Sequence, residues 1–327
     1  MDPARKAPRS NAPLALPFPK QRLSNEVVPN TIHAEQFVAD VIRLQNMSDA
    51  IFREKGLSLP AFVGPDQGGA AVSDVVNALK NASGVLAAVT YHQYPQCTAP
   101  ASTFAMSPSC LMQLPQAASS YASVTATVEG LAAWSGEGAD HSGGGVPGLT
   151  DTFRSSFYYA TQIGALPLNG VELMARQCLS GGDYELLQRF PNASFAPNPD
   201  FYILLLAKTL FRAGARAFNV SSSAPALLSG LQVYAFDGSA VSGGDTTLLL
   251  INAHVANTYF VRPLNVLGKR AEWHVSGDLR SPHGPVAING KAMLPGEVPD
   301  LPAIGLPQCC GNAIVVQPAT IVFVSGS

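Results

Sequence analysis

Strand-like and helix-like hydrophobic patterns alternate along the first two thirds of the chain, and this alternation limits the folds it can adopt. Apolar residues recur at helical spacing from Ala34 to Lys55, and Gly56 is a natural helix stop. The strand-like run Leu57–Val63 follows and is closed by Gly64-Pro65-Asp66. Strands and helices that alternate at this pace are typical of βα units around a parallel sheet. We therefore predict an α/β fold for this part of the chain.

The same alternation predicts the units that follow. They are a helix over Val72–Leu79, a strand over Val85–Tyr91, a helix near Leu111–Val128, a strand over Leu131–Trp134, a helix over Thr152–Ile163, a strand over Val171–Arg176 and a helix over Phe201–Phe211. About five strands precede Arg212, including a doubtful one before Glu26, whereas a closed (β/α)8 barrel has eight. We expect residues 23–213 to form the C-terminal part of a (β/α)8 TIM barrel.

Residues 1–22 are expected to be disordered or non-native sequence. They contain five prolines, which cannot donate to a strand ladder, and they show no alternating pattern. They also lack the apolar segment of a signal peptide. Because this segment cannot supply the remaining barrel strands, we expect either a truncated chain or a partner that completes the barrel.

After about Arg212 the pattern changes to short strand-like runs separated by Gly, Ser, Pro and Asn turns. The runs are Leu231–Phe236, Thr246–Asn252, Tyr259–Arg262, Glu272–Val275, Ala313–Val316 and Thr320–Val324. This pattern predicts a β-sandwich domain over residues 214–327, with a boundary that falls within residues 213–228.

The charge pattern argues against several kinds of partner. Only 13% of the 327 residues are charged, the formal net charge is −2, and no cluster of Lys and Arg is longer than a pair. These features argue against nucleic acid. No run of about 18 apolar residues occurs, so no transmembrane segment is expected.

Cysteines and glycosylation motifs bear on the compartment. Asn-X-Ser sequons are compatible with a secretory route, although such short motifs also occur by chance; they begin at Asn46, Asn81, Asn192 and Asn219. The chain has five cysteines, so at least one stays unpaired if disulfides form. Cys97 and Cys110 bracket a loop rich in Pro, Ser and Thr and are the best candidates for a local bridge.

Two glutamates each follow a strand-like run: Glu26 in Ser24-Asn25-Glu26, and Glu137 in Trp134-Ser135-Gly136-Glu137. Retaining glycoside hydrolysis needs two carboxyl groups about 5–5.5 Å apart, one to protonate the leaving oxygen and one to attack the anomeric carbon. Residues so far apart in sequence meet only in a fold that gathers strand ends, as a (β/α)8 barrel does at its C-terminal rim. Taken alone, a glutamate is more often a solvated surface charge.

Several motifs, in order, resemble glycoside hydrolase family 79, the heparanase and β-glucuronidase family of retaining clan A enzymes. The resemblance runs from about Leu23 to the C-terminus. It is carried by Leu23-Ser24-Asn25-Glu26, Gly64-Pro65-Asp66, Val89-Thr90-Tyr91-His92-Gln93-Tyr94, Gly136-Glu137, Gly143-Gly144-Gly145, Leu149-Thr150-Asp151-Thr152-Phe153, Arg176-Gln177 and Gly181-Gly182-Asp183-Tyr184.

The resemblance implies catalytic roles for both glutamates. Glu26 corresponds to the general acid/base and Glu137 to the nucleophile. An acid must hold its proton near the working pH, whereas a nucleophile must stay ionised, and different surroundings can give two carboxyl groups these two roles.

The resemblance also implies a set of substrate-binding residues: Asn25 toward the 2-hydroxyl, Tyr94 toward the nucleophile, Gly143 and Gly144 toward a uronate carboxylate, and Tyr184 in the −1 subsite. His92 is a further candidate because it lies at the end of a strand, and Arg176 is a candidate for binding the carboxylate. Other interpretations of some of these residues remain open. His92 could be a core histidine, the glycines a flexible loop, Tyr94 and Tyr184 interface aromatics, and Arg176 a structural ion-pair partner.

The function implied is a retaining glycoside hydrolase that acts on uronic-acid-containing oligo- or polysaccharides by double displacement, in an extracellular, lysosomal or vacuolar compartment. The alternative is an inactive fragment or a non-catalytic glycan-binding remnant. No cofactor is expected, and a metal is disfavoured because Asp66, Asp140 and His141 lack a metal-ligand spacing. Because clustered Arg and Lys are absent, we expect a plain or weakly sulfated uronide as substrate.

Overall fold

The computed structural model describes residues 33–67, 70–95, 106–192, 194–218, 220, 230–238, 246–263, 268–294, 299–308 and 312–326. From Ala34 onward, the described residues form one compact unit. Their helices are α1 (Ala34–Glu54), α2 (Ala70–Leu79), α3 (Pro108–Leu111), α4 (Gln113–Thr125), α5 (Phe153–Leu168), α6 (Pro199–Leu210) and α7 (Leu301–Ile304). Within these ranges, no helix combines the length and apolar character needed to cross a membrane.

A four-stranded parallel sheet carries the N-terminal half of the described chain. Its strands are β1 (Val63–Gln67), β2 (Ala88–Gln93), β3 (Ala132–Gly138) and β4 (Val171–Arg176), in the order β1-β2-β3-β4. Helix α2 joins β1 to β2, α3 and α4 join β2 to β3, and α5 joins β3 to β4. The predicted α/β alternation is therefore confirmed. The further strand predicted before Glu26 lies outside the described residues.

The first predicted strand was misplaced. Leu57–Phe62 is not a strand, and β1 begins at Val63 and includes Gly64-Pro65-Asp66, which we had interpreted as a closing turn. The reason is pairing that sequence patterns do not show, because Val63, Gly64 and Pro65 align with successive residues of β2. Among the described strands, β1 pairs on one side only, and such an edge strand tolerates a proline without an N–H.

Strand β3 is longer than predicted, and this affects the site. It continues past Trp134 to Gly138, so Glu137 lies inside the end of the strand and is aligned with His92 of β2. The pairing shifts register between Tyr91 and His92, which leaves Gly136 as an extra residue on β3.

Helices α1, α2 and α4 cover one face of the parallel sheet. Val89 and Tyr91 of β2 join the core that these helices form, and the Tyr91 ring stacks on Tyr121 of α4 with centroids 3.9 Å apart. Side chains alternate along a strand, so Thr90 and His92 belong to the opposite face. This alternation directs His92 toward the face that also holds Glu137.

The C-terminal half is mainly antiparallel. Its strands are β5 (Leu187–Arg189), β6 (Phe195–Pro197), β7 (Ala217–Phe218), β8 (Leu231–Asp237), β9 (Thr246–Asn252), β10 (Tyr259–Val261), β11 (Arg270–Gly277), β12 (Val286–Ile288), β13 (Lys291–Ala292), β14 (Leu306–Gln308), β15 (Ile314–Val316) and β16 (Thr320–Gly326). Eight of them form one sheet in the order β13-β12-β11-β16-β9-β8-β7, with β14 also paired to β11.

This eight-stranded sheet packs on both faces. One face contributes Tyr234, Leu249 and Phe323 to a core shared with Phe157 of α5 and Leu206 of α6. The other face packs against the β10–β15 ladder. The interpretation of residues 214–327 as a separate β-sandwich domain stays a prediction, as does its boundary.

Of the two cysteines predicted to form a local disulfide, only Cys110 lies within the described residues. Cys110 is disulfide-bonded. Cys97 lies outside the described residues, so the pairing of the two stays a prediction.

Helix α5 makes a close contact that yields a stability prediction. Gly164 lies so near the Tyr234 ring of β8 that an added Cβ would overlap ring atoms. Alanine is normally the better helix residue by about 1 kcal/mol, but overpacking a filled core costs about 1–3 kcal/mol. We expect Gly164→Ala to lower the melting temperature, whereas Ser120→Ala, at an exposed position of α4, should leave it unchanged or raise it. A higher melting temperature for Gly164→Ala in calorimetry would contradict this packing.

Candidate functional site

The carboxyl ends of β1, β2 and β3 bring together the polar side chains of Asp66, His92 and Glu137. Tyr94 follows directly after β2. Parallel strands end at a common edge, so residues that are distant in sequence become neighbours there. This edge is where ligands bind in open and closed α/β sheets, and it forms the candidate site.

Both oxygens of the Glu137 carboxylate have a defined neighbour. The Tyr94 hydroxyl donates a hydrogen bond to Oε1. The Nε2 atom of His92 lies 3.8 Å from Oε2, at ion-pair distance. The Glu137 and His92 side chains are each 30% exposed, so the carboxylate is held in place and still accessible to solvent.

Tyr94 remains a hydrogen-bond donor over the physiological pH range. Its pKa is raised above the ordinary phenol value, first by burial, then by the hydrogen bond to Glu137 and the charge of that carboxylate, and further by Tyr184. Ionisation would place two negative charges in contact, so the protonated phenol is favoured. The Tyr94 hydroxyl can therefore orient Glu137 without changing charge.

Loops that follow β3 and β4 meet beside these residues. The backbone N–H of Asp183 donates to the Gly144 carbonyl oxygen at 2.7 Å, and the Thr150 hydroxyl donates to the Asp183 carbonyl oxygen at 2.9 Å. Gly143 and Gly144 have φ angles of 74° and 103°, which side-chain-bearing residues rarely adopt. The two loops place Tyr184 next to Tyr94.

Arg176 is buried and already paired. Its guanidinium lies 2.7 Å from Asp200 Oδ2, and the two side chains are 5% and 4% exposed. It also packs over the rings of Tyr159 and Tyr184 at 5.1 and 5.9 Å. Of the two roles considered for Arg176, this geometry favours the structural ion pair and support of Tyr184 over direct contact with a substrate.

Asp140 is a second buried carboxyl group near Arg176. It is 1% exposed, and neither carboxyl oxygen has a hydrogen-bond partner of normal geometry. Burial raises the pKa of Asp140 to about 7, assisted by the charge of Asp200 and opposed by that of Arg176. Near neutral pH, the buried Asp140 carboxyl group therefore changes between its protonated and its ionised form.

The structure thus gives a mixed outcome for the predicted site residues. His92, Tyr94 and Glu137 come together, Tyr184 is adjacent, and Gly143 and Gly144 form the neighbouring loop. Asn25 and Glu26 lie outside the described residues, so the separation of 5–5.5 Å expected between the two glutamates stays a prediction.

Asp66, Asp140 and Asp200 were missed as members of the site region. Asp66 carried two signals, its position at the end of a strand-like segment and its place in the Gly64-Pro65-Asp66 motif. Asp140 and Asp200 carried none, because a buried carboxyl group looks like a solvated one in the sequence.

Comparison with known proteins places this architecture among glycosidases. Residues 20–164 match the model described as Glycosyl hydrolase family 79, N-terminal domain. Heparanase-like protein 1 of Arabidopsis thaliana is 28% identical over 86% of this chain and 57% of that protein. Heparanase of Bos taurus is 28% identical over 52% of this chain and 32% of that protein. The chain spans at most about 60% of the length of these curated relatives, 57% for heparanase-like protein 1 and 59% for heparanase-like protein 3 of the same plant.

Solved structures show the fold. A 4-O-α-L-rhamnosyl-β-D-glucuronidase from Fusarium oxysporum superposes with a TM-score of 0.67 at 14% identity, over 90% of this chain and 65% of that one. A family 51 α-L-arabinofuranosidase from Bifidobacterium longum gives 0.57 at 13% identity, over 90% and 63%. The described part of the chain therefore has an α/β fold similar to that of these glycoside hydrolases.

Asp140 provides a pH-dependent stability prediction. Its pKa in the folded state, about 7, lies above the ordinary carboxyl value, so the folded state binds the extra proton and loses stability as pH rises toward 7. Asp140→Asn removes this loss. We expect the variant to raise the melting temperature by at least about 3 °C at pH 8 and by much less at pH 5.

The matched control is Asp74→Asn, at an exposed position of α2. Its melting temperature should differ only slightly from that of the unchanged protein, and by the same amount at pH 5 and pH 8. A stabilisation by Asp140→Asn that is equal at pH 5 and pH 8, or a loss of stability at pH 8, would contradict the burial of an ionisable Asp140.

Proposed function

This chain is a relative of the heparanase- and β-glucuronidase-like proteins of glycoside hydrolase family 79, and we propose that it belongs to a retaining glycosidase that cleaves uronic-acid-containing glycans. A relative named baicalin-β-D-glucuronidase, from Scutellaria baicalensis, is 28% identical over 44% of this chain. The activity, substrate and mechanism are proposals for the whole protein.

The observation that carries the proposal is the setting of Glu137. A carboxylate at the carboxyl end of a parallel strand, with a phenol donating to one oxygen and an imidazole beside the other, is oriented for attack. Nucleophilic carboxylates need this kind of fixed orientation, because reaction requires a near-attack geometry.

In the proposed double displacement, Glu26 protonates the glycosidic oxygen while Glu137 attacks the anomeric carbon. The carbon–oxygen bond to the leaving group breaks, and a covalent ester between Glu137 and the sugar forms. Glu26, now ionised, removes a proton from water, which attacks the same carbon and releases Glu137. Tyr94 keeps its proton throughout and holds the Glu137 carboxylate between turnovers.

The uronate carboxylate is proposed to bind at the Gly143-Gly144 loop and Tyr184. Left-handed glycines allow backbone N–H groups to converge on an anion without side-chain interference. Arg176 is proposed to support this subsite by packing against Tyr184, because its charge is already paired with Asp200. This arrangement suits one carboxylate, and we propose a plain or weakly sulfated uronide as substrate.

The finer architecture belongs to the same proposal. The four parallel strands and their helices are proposed to be part of a (β/α)8 barrel over residues 23–213, followed by a β-sandwich over residues 214–327. A glycan substrate implies an extracellular, lysosomal or vacuolar location, and the exposed sequon residues Asn46 and Asn81 are compatible with N-glycosylation there.

The test compares variants of the full-length protein on a natural glucuronide glycan and on an aryl glucuronide with a good leaving group. Glu137→Gln should reduce kcat/KM by at least about 1,000-fold on both substrates, since it removes the nucleophile. Glu26→Gln should keep more activity on the aryl substrate, because a good leaving group needs little protonation.

Glu129→Gln, an exposed carboxyl group outside the site, is the matched control and should behave like the unchanged protein. Full activity of Glu137→Gln would overturn the assignment of the nucleophile. Binding of the glycan with no turnover by the unchanged full-length protein would instead favour the non-catalytic glycan-binding alternative.

A further inference from the structure

Asp66 lies at the candidate site but has no part in the mechanism above. Its carboxylate is 3.3 Å from Nε2 of His92, closer than the 3.8 Å between the same nitrogen and Glu137. One imidazole nitrogen is therefore within ion-pair distance of two carboxylates from different strands. Neither contact is an aligned hydrogen bond.

The backbone of β1 and β3 is shaped to bring Asp66 to this position. Asp66 adopts a φ of 59°, in the left-handed region that residues with side chains seldom occupy. An added Cβ at Gly136 of β3 would overlap Asp66 Oδ1. A left-handed aspartate whose carboxylate fills the space that a side chain at position 136 would take indicates a specific contact, because such strain persists where the surrounding structure maintains it.

We propose that Asp66 is a positioning residue, which acts through His92 to hold the Glu137 carboxylate in its reactive orientation. This inference rests on the proposed function of Glu137. Tyr94 fixes Oε1, and His92 lies beside Oε2. The His92 ring is 30% exposed and would be freer to rotate without a second contact. Asp66 supplies that contact at the same ring nitrogen, so the proposed order of action is Asp66, then His92, then Glu137.

The test is a double-mutant cycle between Asp66→Asn and His92→Gln in the full-length protein, assayed on an aryl glucuronide. Asp66→Asn alone should lower kcat by about 10- to 100-fold, because a misplacement of about 1 Å at a reacting group can cost about 100-fold, with KM changed by less than about twofold. In the His92→Gln background, the same substitution should lower kcat by less than about threefold, because its partner is already absent.

Two further variants check the interpretation. Gly136→Ala should displace the Asp66 carboxylate and reproduce the kcat loss without changing any charge. Asp74→Asn, exposed on α2, is the matched control and should leave kcat and KM unchanged. Melting temperatures of all variants identify any loss that comes from unfolding.

A measurement independent of turnover is the imidazole ¹⁵N signal of His92 in NMR spectra. The chemical shift of this signal should change in Asp66→Asn and should be the same in Asp74→Asn as in the unchanged protein. An unmoved signal in Asp66→Asn would overturn the inference even if the protein is inactive. A kcat loss that is equally large with and without His92, or a rise in KM alone, would show that Asp66 acts directly on the substrate and would also overturn it.

These outcomes separate the two proposals. If Glu137→Gln is inactive and Asp66→Asn is fully active, only the positioning role fails. If Glu137→Gln is fully active, the proposed function fails, whatever the result for Asp66.

Discussion

The buried ion pair between Arg176 and Asp200 is the interaction on which the site region depends. Asp200 of α6 also accepts hydrogen bonds from Ser155 and Ser156 of α5, at 3.0 and 2.8 Å. The cluster therefore links the end of β4 to helices α5 and α6, which pack against the C-terminal sheet. A buried ion pair is tolerated only when further hydrogen bonds satisfy its charges, and loss of one partner leaves an uncompensated charge. Here the serines satisfy the carboxylate.

The loops that carry the candidate site rest on this cluster. Arg176 packs against the ring of Tyr184, which neighbours Tyr94, and Tyr94 in turn donates a hydrogen bond to Glu137. A chain of contacts thus leads from the buried charge to the candidate nucleophile. Asp140 adds a second carboxyl group near the same guanidinium, with a pKa near neutrality. The protonation of Asp140 therefore changes the charge balance of the cluster that supports the loops.

The sequence predicted the alternating elements and the residues that gather at the strand ends, because hydrophobic period and motif order are local properties. It misplaced β1, since the pairing of Pro65 with β2 depends on a strand that lies far along the chain. It did not reveal the proposed role of Asp66. The Asp66 carboxylate of β1 reaches Gly136 of β3, where a glycine leaves room for it, and this contact between two strands is not visible in the sequence. The burial of Asp140 was equally invisible, because burial is set by packing and not by neighbouring residues in sequence.

In the proposed mechanism, Glu137 forms a covalent bond to the sugar during turnover. A 2-deoxy-2-fluoro-glucuronyl fluoride slows both steps of a retaining glycosidase but slows release more, so the ester accumulates. Incubation of the full-length protein with this reagent, followed by proteolysis and mass spectrometry, should place one sugar on the peptide that contains Trp134-Ser135-Gly136-Glu137, with the modification at Glu137. A label on another carboxyl group, or turnover of natural glycan with no label formed, would contradict the account.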